Sequence, residues 1–172
     1  MIARETRQVR EWMVAGGLVT SPEGAVLLVR NRRRDGSLDW SPPGGVIEVA
    51  DGETVVDGLT REVAEETGIT VTAWDGPLWR VETLAEGLGW RLSVEVHLAT
   101  AWEGQIAVGA DPDGIVVDAR FVHPDECSVH LDGAHPWVCE PLAAWLTGET
   151  EALWRYRLDG DTYGKTSVTR IP

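Results

Sequence analysis

Cysteine is scarce in this chain of 172 residues, which has only Cys127 and Cys139. Two cysteines cannot build a disulfide framework, and their spacing matches no Cys-x-x-Cys metal or redox motif. We therefore expect both to be small buried apolar residues. A chain of this length can build an ordinary hydrophobic core, and it predicts one domain.

Positive charge is also scarce, because 15 lysines and arginines are set against 28 aspartates and glutamates, for a formal net charge of −13. Nucleic-acid polymers and anionic membranes need a basic surface, so neither is expected as a partner. A small phosphorylated ligand remains compatible, because a bound metal ion reverses the local sign of charge. The sequence has no long apolar run and no signal-peptide core at its start, which predicts a soluble, cytoplasmic protein.

Acidic residues are concentrated in a predicted helix over 55–67, where Glu62, Glu65 and Glu66 fall within an arc of roughly 100°. An apolar stripe on the same helix is formed by Val55, Val56, Leu59 and Val63. Glu66 projects into this stripe, and a carboxylate facing apolar groups is costly unless it is paired or binds a cation. The cluster thus indicates a divalent-metal site. The alternative is a solvated acidic face on which Arg61 and Glu65 form an i,i+4 pair.

The residues that flank the helix favour the metal site. The segment Pro42-Pro43-Gly44-Gly45 combines fixed φ angles with glycines that permit close approach, and its carbonyl oxygens are the hard ligands that Mg²⁺ prefers. Thr54 is predicted to cap the start of the helix, and Gly68 to end it in a left-handed conformation. Gly58 inside the helix indicates close packing against a loop or strand.

Gly45, Glu53 and the run from Arg61 to Ile69 resemble the Nudix box, the signature of the Nudix hydrolases. The family pattern is Gly, five residues, Glu, seven residues, Arg-Glu, an aliphatic, one residue, Glu-Glu, one residue, Gly and an aliphatic. Every fixed position from Glu53 onward fits. Between Gly45 and Glu53, however, seven residues intervene instead of five. Either two residues are inserted around 49–51, or the loop takes a different path.

The resemblance implies an α/β fold, a Nudix-type α/β/α sandwich with a mixed sheet. It also implies hydrolysis of a nucleoside diphosphate linked to another moiety, by attack of water on phosphorus. The implied cofactor is Mg²⁺, with Mn²⁺ as an alternative. Its implied ligands are three carboxylates and a loop carbonyl: Glu62, Glu65, Glu66 and Gly45 (or Gly44).

The resemblance also assigns roles beside the metal. Glu62 or Glu53 would orient the attacking water, and Arg61 would hold a box glutamate through a charge-assisted hydrogen bond. Some family members take a general base from a late loop, for which the candidates are Glu103, Asp111 and Asp113. We favour Asp111, against the alternative that such an acid is merely solvated.

Two groups of residues are candidates for binding the substrate. Three consecutive arginines precede the rigid loop: Arg32, Arg33 and Arg34. They are expected either to meet terminal phosphates or simply to occupy a solvated hairpin loop. Among nine tryptophans, most are expected in the core, but three are candidates to stack on a base: Trp40 above all, Trp79 and Trp90. The four histidines show no metal-binding spacing and receive no role.

The downstream markers of known substrate subfamilies are absent, so a nucleoside triphosphate or another nucleotide derivative is the default substrate. The main alternative is a non-catalytic Nudix-fold nucleotide-binding or regulatory module, which the lengthened loop favours and the complete acidic run opposes. A further alternative is an interaction scaffold that uses the C-terminal segment as its contact surface.

Hydrophobic patterning predicts strands over 12–20, 25–30, 69–74, 78–84, 90–102 and 115–122, and a second helix over 136–146. The first two strands are expected to form a hairpin, with a basic loop over 30–37 after it. At the end, 153–158 and 162–171 are predicted to pair as a β-hairpin around Asp159-Gly160. We therefore expect a Nudix domain over 1–150 with a hairpin extension over 151–172. The extension would cover a sheet edge or, less favoured, form a homodimer contact.

Overall fold

The computed structural model describes residues 9–149, 151–160 and 165–172, and these form nine strands and three α-helices. The strands are β1 Arg10–Leu18, β2 Val26–Arg32, β3 Leu38–Ser41, β4 Gly44–Val46, β5 Thr70–Ala85, β6 Trp90–Glu103, β7 Val116–Val122, β8 Leu153–Gly160 and β9 Thr166–Ile171. The helices are α1 Val55–Thr67, α2 Pro124–His130 and α3 Pro136–Leu146, with short 3₁₀ turns at Val49–Asp51 and Glu86–Leu88. Within the described part of the chain, every helix is too short or too polar to cross a membrane.

Two sheets form the centre of the fold. The larger has the order β4-β1-β6-β5-β8-β9 and is mixed, because β1 runs parallel to β6 and β5 parallel to β8. The smaller is antiparallel, with the order β3-β2-β7. Apolar clusters lie on both sides of the sheets, one beneath α1 and the other beneath α2 and α3. This arrangement confirms the predicted mixed α/β architecture.

Helix α1 has the predicted bounds because its ends are encoded locally. Thr54 Oγ1 accepts a hydrogen bond from the Asp57 backbone N–H at 3.1 Å, and Gly68 ends the helix at φ +77°. Leu59 and Val63 are fully buried under the helix. A methyl group at Gly58 would lie 2.7 Å from both Glu53 Oε2 and Ile47 Cδ1, which confirms the predicted close packing.

The predicted hairpin between 12–20 and 25–30 is wrong. β1 pairs instead with β4 and β6, β2 pairs with β3 and β7, and a single bridge from Thr20 to Val26 joins the two segments. The turn at 21–24 does reverse the chain, but the strands then diverge into different sheets. The nine residue pairs between β1 and β6 stabilise this arrangement more than a hairpin around the local turn would. The local pattern of apolar residues does not indicate which distant strand becomes the partner.

Other boundaries also differ from prediction. The segments 69–74 and 78–84 are one strand, β5, whose pairing with β6 shifts between Asp75 and Trp79 around a cis Gly76-Pro77 bond. Pro77 lacks an N–H, and this made a continuous strand unexpected. The prediction missed β3, β4 and α2, which are too short to show a clear period. Helix α3 has the predicted bounds.

The C-terminal hairpin is present, but Asp159 and Gly160 belong to β8, where Gly160 pairs with Thr166. Residues 161–164, which include the start of the predicted second strand, lie outside the described residues. β8 pairs in parallel with β5, so the hairpin covers that edge of the larger sheet. The homodimer contact stays a prediction. Cys127 is fully buried as expected, whereas Cys139 is half-buried, and both are free thiols.

Candidate functional site

Strand β4 brings two glycines against the acidic face of α1. It pairs antiparallel with β1, where Gly44 lies opposite Gly16. Gly44 has φ +151°, and a Cβ there would collide with the carbonyl oxygen of Ala15. A Cβ at Gly45 would lie 2.5 Å from Glu62 Oε2. The backbone of β4 therefore touches the carboxylate of Glu62, at a distance that only glycine permits.

Arg61 lies at the centre of the acidic cluster. Its Nε and Nη2 donate to the two carboxylate oxygens of Glu53 at 2.8 and 3.1 Å. Its Nη1 donates to Glu62 Oε1 at 2.8 Å and to Glu65 Oε2 at 3.2 Å. The planar guanidinium thus fixes three carboxylates at once, and this is the contact expected of a residue that holds box glutamates in place.

Glu66 points into the protein, as its helical angle predicted. The residue is only 8% exposed, and its Oε2 accepts a hydrogen bond from the Gly44 backbone N–H at 2.9 Å. Burial raises the pKa of Glu66 to about 8, against the effect of that hydrogen bond, and the charges of Glu62, Asp111 and Glu65 raise it further. A carboxylate in such surroundings is stabilised by a nearby cation.

The other two acids of the box respond differently to Arg61. Burial raises the pKa of Glu62, although the contact with Arg61 opposes the shift. The pKa of Glu53 is lowered, first by its hydrogen bond with Arg61 and then by one from the Glu48 backbone N–H. Glu53 therefore stays ionised, with both oxygens directed to the protein itself.

The two extra residues between Gly45 and Glu53 are accommodated locally. Val49–Asp51 form a single 3₁₀ turn that ends at Gly52 with φ +84°. The turn brings the chain back so that Glu53 Oε2 accepts the Glu48 N–H at 2.9 Å while it still reaches Arg61. Of the two alternatives, the geometry matches an insertion around 49–51 that leaves Glu53 in contact with the helix.

The site offers hard oxygen donors suited to Mg²⁺: the carboxylates of Glu62, Glu65 and Glu66, and the backbone of Gly44 and Gly45. These carboxylates are not yet directed at one point, and across residues 9–149, 151–160 and 165–172 no three acidic, His or Cys side chains are grouped as a ready metal site. Glu62 and Glu65 turn to Arg61, and Glu66 turns to Gly44. The donor types fit a divalent cation.

Two of the late-loop acids lie near this cluster. Asp111 acts on the pKa of Glu66, and Asp113 on that of Glu62. The carboxylate of Asp111 already accepts three backbone hydrogen bonds, from residues 113, 115 and 116, at 3.0, 2.8 and 3.1 Å. Its direct effect is therefore to shape the loop. Glu103 ends β6, where it pairs with Thr70.

The three arginines are not equivalent. Arg33 forms a two-pronged ion pair with Asp39, at 2.7 and 2.8 Å. Asp39 also accepts from Nδ2 of the buried Asn31, which bridges to Ser41. Arg32 ends β2 instead of lying in a loop, and Arg34 is exposed on the following turn. Only Arg33 is therefore held by side-chain contacts beside the β2–β3 turn.

The three tryptophans considered for stacking on a base differ in their surroundings, and the role of Trp40 stays a prediction. The Trp40 ring has the guanidinium of Arg120 at 4.9 Å and that of Arg30 at 5.9 Å, with the His130 ring edge-on at 5.2 Å. Trp79 is buried in the core, which contradicts a binding role, and Trp90 is half-buried at the start of β6.

A stacked aromatic pair that we did not predict lies at the start of α3. The rings of His135 and Trp137 are 4.1 Å apart and nearly parallel, at 11°. The segment His-Pro-Trp has no metal-binding spacing and no other pattern that predicts this pair.

Comparison with known proteins identifies the family to which the chain belongs. The family model for the NUDIX domain matches residues 11–146. No curated protein matches the sequence. Among solved structures, the mutator MutT protein from Bacillus halodurans is 22% identical with a TM-score of 0.64, and the match covers 94% of this chain and 98% of that one. The MutT protein from Methanosarcina mazei Go1 is 17% identical with a TM-score of 0.65, over 81% and 95%. At these identities the structures support the fold alone.

Proposed function

Because this chain belongs to the Nudix family of hydrolases, which act on phosphoanhydride bonds, we propose that it is a metal-dependent pyrophosphohydrolase. Its proposed substrate is a nucleoside diphosphate linked to another moiety, such as a nucleoside triphosphate or a nucleotide derivative. The observation that carries the proposal is the buried carboxylate of Glu66, held against Gly44 beside Glu62 and Glu65.

We propose that Glu62, Glu65 and Glu66, with a carbonyl of Gly44 or Gly45, hold Mg²⁺ or Mn²⁺. When bound, the ion would neutralise phosphate charge and lower the pKa of a water molecule. Arg61 positions Glu62 and Glu65. Both carboxylate oxygens of Glu53 accept hydrogen bonds from Arg61, so Glu53 holds the guanidinium in place. Of the two candidates for orienting the water, this leaves Glu62.

We further propose that the two loop acids, Asp111 and Asp113, have different roles. Asp111, whose carboxylate accepts three backbone hydrogen bonds from residues 113, 115 and 116, holds the shape of its own loop. Asp113, whose charge acts on Glu62, then replaces Asp111 as the candidate to accept a proton from water. An Asp113→Asn variant should lower kcat, whereas Asp111→Asn should mainly lower thermal stability.

The test is release of phosphate or nucleotide from a panel of canonical and oxidised nucleoside triphosphates, nucleotide sugars and ADP-ribose. ADP compounds belong in it because one structural relative, 16% identical, is named an ADP compounds hydrolase. Each is assayed with Mg²⁺, Mn²⁺ or chelator, beside Glu65→Gln/Glu66→Gln. Metal-dependent turnover that the double variant loses supports the proposal. No turnover, with nucleotide binding that ignores metal, would instead support the non-catalytic module.

A further inference from the structure

Arg30 on β2 is half-buried, and its charge is unpaired within the described part of the chain. Its Nε is fully buried and has no hydrogen-bond acceptor among the described residues. Asp118, which lies opposite Arg30 on β7, forms its ion pair with Arg120 instead. Across residues 9–149, 151–160 and 165–172, no carboxylate forms an ion pair with Arg30. A cation that is removed from water is costly unless it is paired, so an anion beside Arg30 would stabilise the protein.

The indole of Trp40 lies beside the Arg30 guanidinium. The two residues are cross-strand neighbours on β2 and β3, and Arg30 Cζ lies 5.9 Å from the centre of the Trp40 ring. The indole packs against the apolar cluster beneath α2 and α3, and the His130 ring meets it edge-on at 5.2 Å. A ring held in this way restricts the motion of the Arg30 side chain and shields one side of it from water.

Arg120 brings a second positive charge to the same ring. Its Cζ lies 4.9 Å from the centre of the Trp40 ring, and the ion pair with Asp118 holds it there. Arg30 and Asp118 are paired across the strands, and Arg120 follows Asp118 by two residues on β7, so all three project from one face of the smaller sheet. Two guanidiniums against one carboxylate leave this face positive. The Arg120 side chain is 53% exposed, so an anion can reach it from solvent.

We propose that Arg30, with Arg120 beside it, binds a phosphate group on this face of the smaller sheet. A guanidinium suits this ligand because it is weakly hydrated and its planar donors match the geometry of phosphate. Binding would pair the charge of Arg30, and the charge of Arg120 would help to balance a phosphate dianion. Inorganic phosphate and the phosphate group of a nucleotide offer the same chemistry. The site lies outside the acidic cluster of α1 and does not depend on the proposed hydrolysis.

The test measures calorimetric Kd for inorganic phosphate and for a nucleoside monophosphate, both in chelator so that no metal links them to the acidic cluster. Arg30→Met replaces the charge by an apolar side chain. Arg155→Met is the matched control, because it removes an arginine from the larger sheet, where Arg155 is paired with Glu82. Glu65→Gln/Glu66→Gln reports any binding at the acidic cluster itself. Thermal unfolding in phosphate and in chloride of equal ionic strength is the second readout.

Arg30→Met should weaken phosphate binding about tenfold or more, whereas Arg155→Met and the double glutamine variant should bind as wild type does. Phosphate should raise the melting temperature of wild type and Arg155→Met more than that of Arg30→Met. Tighter binding of the monophosphate than of phosphate would identify a nucleotide as the ligand, and equal affinity would identify free phosphate. Equal phosphate affinity of Arg30→Met and wild type, no binding by wild type, or binding lost in the double glutamine variant would each overturn the site. None of these outcomes depends on turnover.

Discussion

Replacing Glu66 by Gln should stabilise the metal-free protein at alkaline pH. The pKa of this carboxyl is about 8 in the folded protein, against an ordinary value of 4.5. The folded state therefore binds the Glu66 proton more tightly than the unfolded state does. The stability that Glu66 contributes is fully present below pH 4.5 and is lost as the pH rises through 8. At about 1.4 kcal/mol per pKa unit, the full loss is on the order of 5 kcal/mol.

Glutamine removes the ionisation and keeps an oxygen to accept the Gly44 N–H. Urea unfolding in chelator should therefore show Glu66→Gln to be roughly 2–5 kcal/mol more stable than wild type at pH 8.5, with the gap shrinking toward pH 5. Added Mg²⁺ should raise the stability of wild type by mass action and leave the variant largely unchanged.

Glu65→Gln is the matched control, because it makes the same change at a more exposed carboxylate one residue earlier. It separates the effect of burial from that of removing one negative charge from the cluster. A stability gap between Glu66→Gln and wild type that stays constant from pH 5 to pH 9 would refute the reasoning. It would mean that Glu66 is not held in a high-pKa environment.

Three further predictions concern the rest of the site and the fold. Arg61→Lys loses the two-pronged contact with Glu53 and should lower activity about 10- to 100-fold. The measurements are the turnover rate and the Mg²⁺ concentration that gives half of the maximal rate. Wild-type kinetics in this variant would show that the two-pronged contact is not needed. Gly45→Ala should displace Glu62 and abolish most turnover, whereas Gly87→Ala, with open space at its Cβ, should behave as wild type. Equal activities of the two variants would contradict the close approach of the Gly45 backbone to the Glu62 carboxylate. Removal of 151–172 uncovers β5 and deletes the buried Trp154 and Tyr156, so circular dichroism should show a largely unfolded chain, and a stable truncated monomer would disprove this.

Local features were the ones that the sequence could predict. The bounds of α1 follow from Thr54 and Gly68, and the burial of Glu66 follows from its angle relative to Leu59 and Val63. The partners of β1 could not be predicted, because β6 lies about eighty residues away and nothing in either strand specifies the pairing. The neighbours of Trp40 could not be predicted for the same kind of reason, since Arg120 reaches its ring from β7.

The charge balance around Arg61 has a consequence for the order of binding. Three carboxylates, those of Glu53, Glu62 and Glu65, contact one guanidinium, so the cluster is negative even when the neighbouring Glu66 is protonated. A chain with a net charge of −13 supplies no compensating field. A polyphosphate that approached this surface alone would be repelled, whereas a divalent cation would be attracted and would lower the pKa of Glu66. Phosphate should therefore bind together with metal or after it, and nucleotide affinity should rise with Mg²⁺ far more for the triphosphate than for the monophosphate.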